Sequence, residues 1–117
     1  MSRPSPLAIS VASIRRLRKE ESTYRTELAD QESRLRRLET RSVDDDDDGD
    51  EDGNREWAVK QEKRAIQETQ AVFEPLREKL LAAVAGLEQL LSSTQAERFS
   101  EEEVRGARDL IGEVRAG

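Results

Sequence analysis

The densest set of reactive groups in this chain lies at 44–52, where Asp44 to Asp48, Asp50, Glu51 and Asp52 place eight carboxylates in nine residues with no base among them. Carboxylates at that density suggest calcium, and DDDDDGDEDG has the look of an EF-hand loop, which requires Gly at its sixth position and a bidentate Glu at its twelfth. With Gly49 as the sixth residue the twelfth is Arg55, and with Gly53 it is Val59. Neither chelates a cation, so only loose cation binding is left, and the run is expected to be a solvated, self-repelling connector. Carboxylates also cluster at Glu20-Glu21 and Glu101-Glu102-Glu103. These are expected on exposed helical faces, with no apolar pocket to tune them for acid–base work. The chain has no His and no Cys. It therefore lacks an imidazole proton shuttle, thiolate chemistry, zinc frameworks and disulfides, and the Glu-x-x-His of a di-iron bundle is impossible. No GxxxxGK[ST] or GxGxxG occurs to cradle a phosphate. The basic cluster Arg15, Arg16, Arg18 and Lys19 is interrupted by Glu20 and Glu21, and Tyr24 is the only aromatic nearby, a poor pattern for nucleic acid. No catalysis, cofactor, metal centre or nucleic-acid partner is expected.

What must position the remaining surface groups is a set of helices. A chain of 117 residues makes one small domain, expected to span 1–117. It is 39% charged, 34% hydrophobic and 3% aromatic, too lean for a sheet packed on both faces. The net charge of −6 is concentrated in the acidic run; without it, 18 acids face 20 bases, and the body is nearly neutral. No apolar run approaches the ~20 residues of a membrane span, and MSRPSPLAIS has no signal-peptide core. A cytoplasmic, membrane-free protein is expected, in keeping with the lack of cysteine.

A seven-residue repeat organises the chain. Leu7, Ser10, Ile14, Leu17, Glu21, Tyr24, Leu28, Gln31, Leu35 and Leu38 alternate in steps of three and four, an a/d seam with polar interruptions. Ser5 and Pro6 suit an N-cap and a first helical residue, so helix 1 is expected over about 6–40. After a connector at 42–54 the seam resumes at Val59, Glu62, Ile66, Thr69, Phe73, Leu76, Leu80, Ala83, Leu87 and Leu90. It continues through Pro75, which falls on a solvent-facing position with no turn residues beside it. Helix 2 is therefore expected over about 55–91 with a kink at Pro75 rather than a break. Ser100 and Glu103 form a capping-box pattern before Val104, Ala107, Leu110, Ile111 and Val114, so helix 3 is expected over about 100–115; Thr94 and Glu97 offer an earlier start.

The fold expected is all-α: an antiparallel three-helix bundle of two long helices and a shorter third with a coiled-coil-like seam. Val72, Leu81, Val84 and Leu91 on helix 2, with Ile9 and Val11 on helix 1, widen the apolar face where helix 3 should lie. The other half has a thinner seam carrying Gln31, Glu62 and Thr69, so a three-helix base and a weaker two-helix tip are expected. Leu17, Tyr24, Leu28, Phe73, Leu80 and Leu87 are the main structural residues, with Pro75 shaping helix 2. One hairpin seam can close on itself or across two chains, so a monomer and a homodimer both fit.

One segment carries more. IRRLRKEESTYRTEL, from Ile14 to Leu28, resembles the first-helix motif of the tubulin-binding cofactor A family, with Arg16, Leu17, Lys19, Glu20, Tyr24 and Glu27 at the matching positions. A long helix, an acidic connector, a second helix with a proline near its middle and a short third helix follow the same order, and ARDLIGEV resembles the family's closing helix. The connector is more acidic than expected for the family. The resemblance implies a helical chaperone without nucleotide or catalysis, cytoplasmic and cytoskeleton-associated. It implies capture of β-tubulin folding intermediates after release from the cytosolic chaperonin, and their retention for later tubulin-folding cofactors that assemble the αβ heterodimer. Because the seam is internal, the partner should read outer faces: Arg16, Lys19, Glu20 and Glu27 on helix 1, and Lys63, Gln67 and Gln70 on helix 2. The competing expectations are a generic coiled-coil scaffold, which should leave apolar residues on its outer faces, and an acidic-loop histone chaperone that binds through 44–52.

Overall fold

The computed structural model describes residues 3–44, 52–93 and 97–117. Three helices account for nearly all of them: α1 (Pro6–Asp44), α2 (Asp52–Ser92) and α3 (Glu101–Ala116). No strand occurs among the described residues. The Ser5 hydroxyl accepts from the Ala8 amide at 3.0 Å and the Ser5 carbonyl from the Ile9 amide, which caps α1 just ahead of Pro6. Ser100 caps α3 through a full capping box: its hydroxyl accepts from the Glu103 amide at 3.1 Å, while its own amide donates to Glu103 Oε1 at 3.2 Å. Glu101, Glu102 and Glu103 in the first turn of α3 and Arg115 in its last complement the helix dipole.

Residues 42–44 and 52–54 are helical, although the sequence reading assigned them to the connector. No Gly or Pro stands between Leu38 and Asp44 to stop α1, and Asp52 opens α2 at the end of the helix that favours an acid. The rest of the acidic run, 45–51, and with it most of the calcium-loop and connector readings, lies outside the described residues. So does Thr94; α3 begins after Ser100. α2 passes through Pro75 as one helix, and Pro75 is exposed.

Contacts group the chain into two compact units. The first comprises Met1–Glu21 and Pro75–Gly117. Here α3 runs parallel to α1, with Ser5 Oγ donating to Glu103 Oε2 at 3.1 Å at one level and Arg18 Nη1 paired with Glu113 at 2.8 Å at the next. It runs antiparallel to α2, where Arg77 Nη2 donates to the Val114 carbonyl at 3.0 Å and Leu91 and Ser92 lie beside Arg108. The three helices enclose one core of Leu7, Ile14, Leu80, Val84, Leu87, Ala107, Leu110, Ile111 and Val114. Val11, Leu17, Ala83, Leu90, Leu91 and Phe99 pack around it. Burying each Leu-sized side chain contributes roughly 1.5–3 kcal/mol.

The second unit, Ser22–Glu74, pairs α1 with α2 alone. Its buried residues are polar, Gln31 and Thr69, while Tyr24, Leu28, Leu35, Leu38, Val59, Ile66, Val72 and Phe73 are half-buried. Arg34 Nε donates to Glu62 Oε1 across the pair at 3.1 Å. In both units every residue of the expected seam is at least half-buried.

Three residues expected to widen the core do not: Val72 falls in the second unit, where α3 takes no part, and Ile9 and Leu81 face solvent. Ile9 is 53% exposed and Leu81 46%. At about 100° per residue Ile9 points roughly 200° from Leu7, away from the core. Leu81 lies about 100° from Leu80, just past the arc that ends at Arg77 and Glu88, whose side chains bond to α3.

Candidate partner-binding surface

The seven positions expected to meet a partner are all exposed. Arg16, Lys19 and Glu20 belong to the first unit, on the side of α1 that the core leaves to solvent. They follow from the seam: Ile14 and Leu17 turn inward, Arg16 and Lys19 each stand two places on and about 200° round, and Glu20 lies about 120° from Ile14, so all three turn outward. Arg16 Nη2 donates to Ser13 Oγ at 3.4 Å, a contact within its own helix. Glu27, Lys63, Gln67 and Gln70 belong to the second unit. The last three, spaced four and three apart, form one stripe of α2 beside the exposed Arg64–Glu68 pair, whose atoms are 3.5 Å apart. The first group carries charge of both signs, and the second adds the neutral amides of Gln67 and Gln70.

Glu20 and Glu21 are not the exposed pair that the sequence suggested. Glu20 is exposed, but Glu21 is 9% exposed, because it follows Leu17 by four residues and so falls on the seam. Glu101 to Glu103 are exposed, and Glu103 is occupied by the cap of α3 and by Ser5. Among the described residues no group of three or more acids is placed to hold a metal ion. None of the described helices is long and apolar enough to cross a membrane. An open groove of about 310 Å³ runs between α1 and α3, with Leu7, Ala8, Val11 and Ala107 in it, Arg15 on one rim and Glu102 on the other. It brings no nucleophile and base together.

Trp57 was not singled out by the sequence reading. It is 64% exposed, the most exposed large apolar side chain described, and lies two residues before Val59, on the far side of α2 from the seam. That offset was the readable signal. With Ile9 and Leu81 it puts apolar side chains on outer faces, although single apolar residues scattered on a surface are ordinary.

Comparison with known proteins supplies what the geometry of this surface does not. A curated relative, the tubulin-specific chaperone A of Saccharomyces cerevisiae (strain ATCC 204508 / S288c), is 33% identical over 109 residues, covering 92% of this chain and 89% of that protein. No solved structure gives a significant match. The model of the family described as tubulin binding cofactor A matches residues 2–111. With near-complete coverage by both, and three helices in the order that the Ile14–Leu28 motif implied, the chain belongs to the tubulin binding cofactor A family.

Proposed function

We propose that this protein is a non-catalytic tubulin-folding cofactor, which captures β-tubulin intermediates released by the cytosolic chaperonin and holds them for the cofactors that assemble the αβ heterodimer. The observation that carries this reading is the family match over residues 2–111. Physical chemistry is in keeping with it. Holding a subunit needs surface complementarity and a stable scaffold, and the first unit provides a packed apolar core beneath a polar exterior. The work is placed in the cytoplasm, alongside the tubulin pool and the cytoskeleton it supplies.

The surface assigned to the partner comprises Arg16, Lys19, Glu20, Glu27, Lys63, Gln67 and Gln70. An interface of ordinary size takes roughly 20 or more residues from each side, so single changes at its rim should act weakly. The test is a pull-down from cytosol, in which β-tubulin should be the dominant partner. A triple variant, Arg16→Glu, Lys19→Glu and Lys63→Glu, alters three exposed positions and leaves every buried residue in place. It should bind β-tubulin much more weakly while retaining full helical signal. Capture at wild-type strength by the folded triple variant would remove this surface as the site. Deleting 44–52 separates this reading from a histone chaperone, which would lose its partner; a tubulin cofactor would keep most of its binding.

A further inference from the structure

The pair of helix segments in Ser22–Glu74 carries an unmet polar group inside its seam. Gln31 is 5% exposed, and its amide oxygen Oε1 accepts no hydrogen bond. Thr69, on the other helix of the pair, is also buried, at 7%. One turn from Gln31, Arg34 reaches Glu62 at 3.1 Å. The apolar seam residues around them, Leu28, Leu35, Leu38, Val59 and Ile66, are all half-buried. The first unit is built around a core of nine buried apolar residues, although its seam too carries polar Ser10 and Glu21.

A buried acceptor without a donor opposes pairing, because water satisfied it in the open state and nothing does in the closed one. An aliphatic residue of similar length at that position would hold the seam more tightly. Gln31 stands at a d position of the repeat, and a polar residue in place of an apolar one on such a seam costs stability. We infer that Gln31 keeps the seam of Ser22–Glu74 separable, and that parting these two segments is a step in partner capture, the second half resting on the function proposed above. On parting, the Gln31 amide gains donors from water or from the partner, and Leu28, Leu35 and Ile66 become available to the apolar surface of an incompletely folded subunit. The half-buried state of those residues limits what their exposure costs, whereas the core around Leu80 and Leu87 would lose full burial if it opened.

The test compares the full chain with Gln31→Leu and Gln31→Met, the second keeping the unbranched reach of glutamine without its acceptor. Amide exchange, read by mass spectrometry, should slow about tenfold in 22–40 and 53–74, a change of about 1.4 kcal/mol, and stay the same in 6–21, 75–92 and 101–116. β-Tubulin capture by both variants should weaken or slow by several-fold. Unchanged or faster exchange in 22–40 and 53–74 for both variants would overturn the role of Gln31. Slower exchange with undiminished capture would overturn the link between opening and capture. Wild-type protein that captures no β-tubulin would remove the function proposed above, a result separate from the exchange comparison.

Discussion

Replacing Pro75 with Ala should stabilise the protein, and the size of the gain follows from where Pro75 stands. It lies inside α2, with helix on both sides and an exposed side chain. Its ring nitrogen carries no hydrogen, so the carbonyl of Ala71, four residues earlier, loses its helical donor and also meets the ring. A helix interior disfavours Pro by ~3 kcal/mol relative to Ala. Because the ring is exposed, its removal takes no apolar surface from the core, and the neighbours that do pack, half-buried Phe73 and Leu76 at 5% exposure, are untouched. The helix has already adjusted around the ring, so part of that penalty is relieved, leaving an expected gain of about 1–3 kcal/mol. Urea denaturation followed by far-UV circular dichroism measures it, as a higher midpoint at unchanged slope. Pro75→Gly serves as the internal control. It too removes the clash and restores the donor, but glycine is disfavoured in a helix by ~1 kcal/mol relative to Ala, so it should fall below Pro75→Ala by about that much. A Pro75→Ala protein less stable than wild type, or one less stable than Pro75→Gly, would refute the reasoning.

Three further expectations follow from the same packing. Leu87→Ala, at a fully buried position, should cost about 3–5 kcal/mol in urea denaturation, whereas Leu28→Ala, at a half-buried one, should cost clearly less. Ser100→Ala removes the hydroxyl that caps α3 and should cost about 1 kcal/mol, with faster amide exchange concentrated in the first turn of that helix. Arg18→Ala breaks a 2.8 Å ion pair with Glu113 whose side chains are 39% and 58% exposed, so its cost should stay below about 1 kcal/mol and shrink as salt is added, by the same denaturation measurement.

Much of this architecture is local and therefore legible along the chain. An a/d repeat specifies which side of a helix is apolar whatever lies opposite, and every residue of the expected seam is at least half-buried. The caps at Ser5 and Ser100 were readable for the same reason, since their partners stand within four residues. The candidate partner residues Arg16, Lys19, Glu20, Glu27, Lys63, Gln67 and Gln70 are exposed simply because they fall off the seam. Their proposed role rests on the match of Arg16, Lys19, Glu20 and Glu27 to the family motif and on the outward placing of Lys63, Gln67 and Gln70 near Pro75, as nothing in their spacing names a partner.

Tertiary structure decided what depends on the rotation and level at which one helix meets another. Leu81 reads as core from its neighbours, but it sits just outside the arc of α2 that α1 and α3 occupy, and a difference of one residue turns a side chain by about 100°. Glu21 has two readings in the sequence, a seam position and an exposed acid beside Glu20, and the helix contact decides for the seam. The pairs Arg18–Glu113, Arg34–Glu62 and Arg115–Glu88, like the bond from Arg77 to the Val114 carbonyl, join residues 27 or more apart along the chain, and no periodicity within a single helix states their level. Gln31 shows the division most plainly. Its place on the seam is written in the repeat, but whether its amide oxygen finds a donor is settled only by which atoms the opposite helix brings to it, and in this fold it finds none.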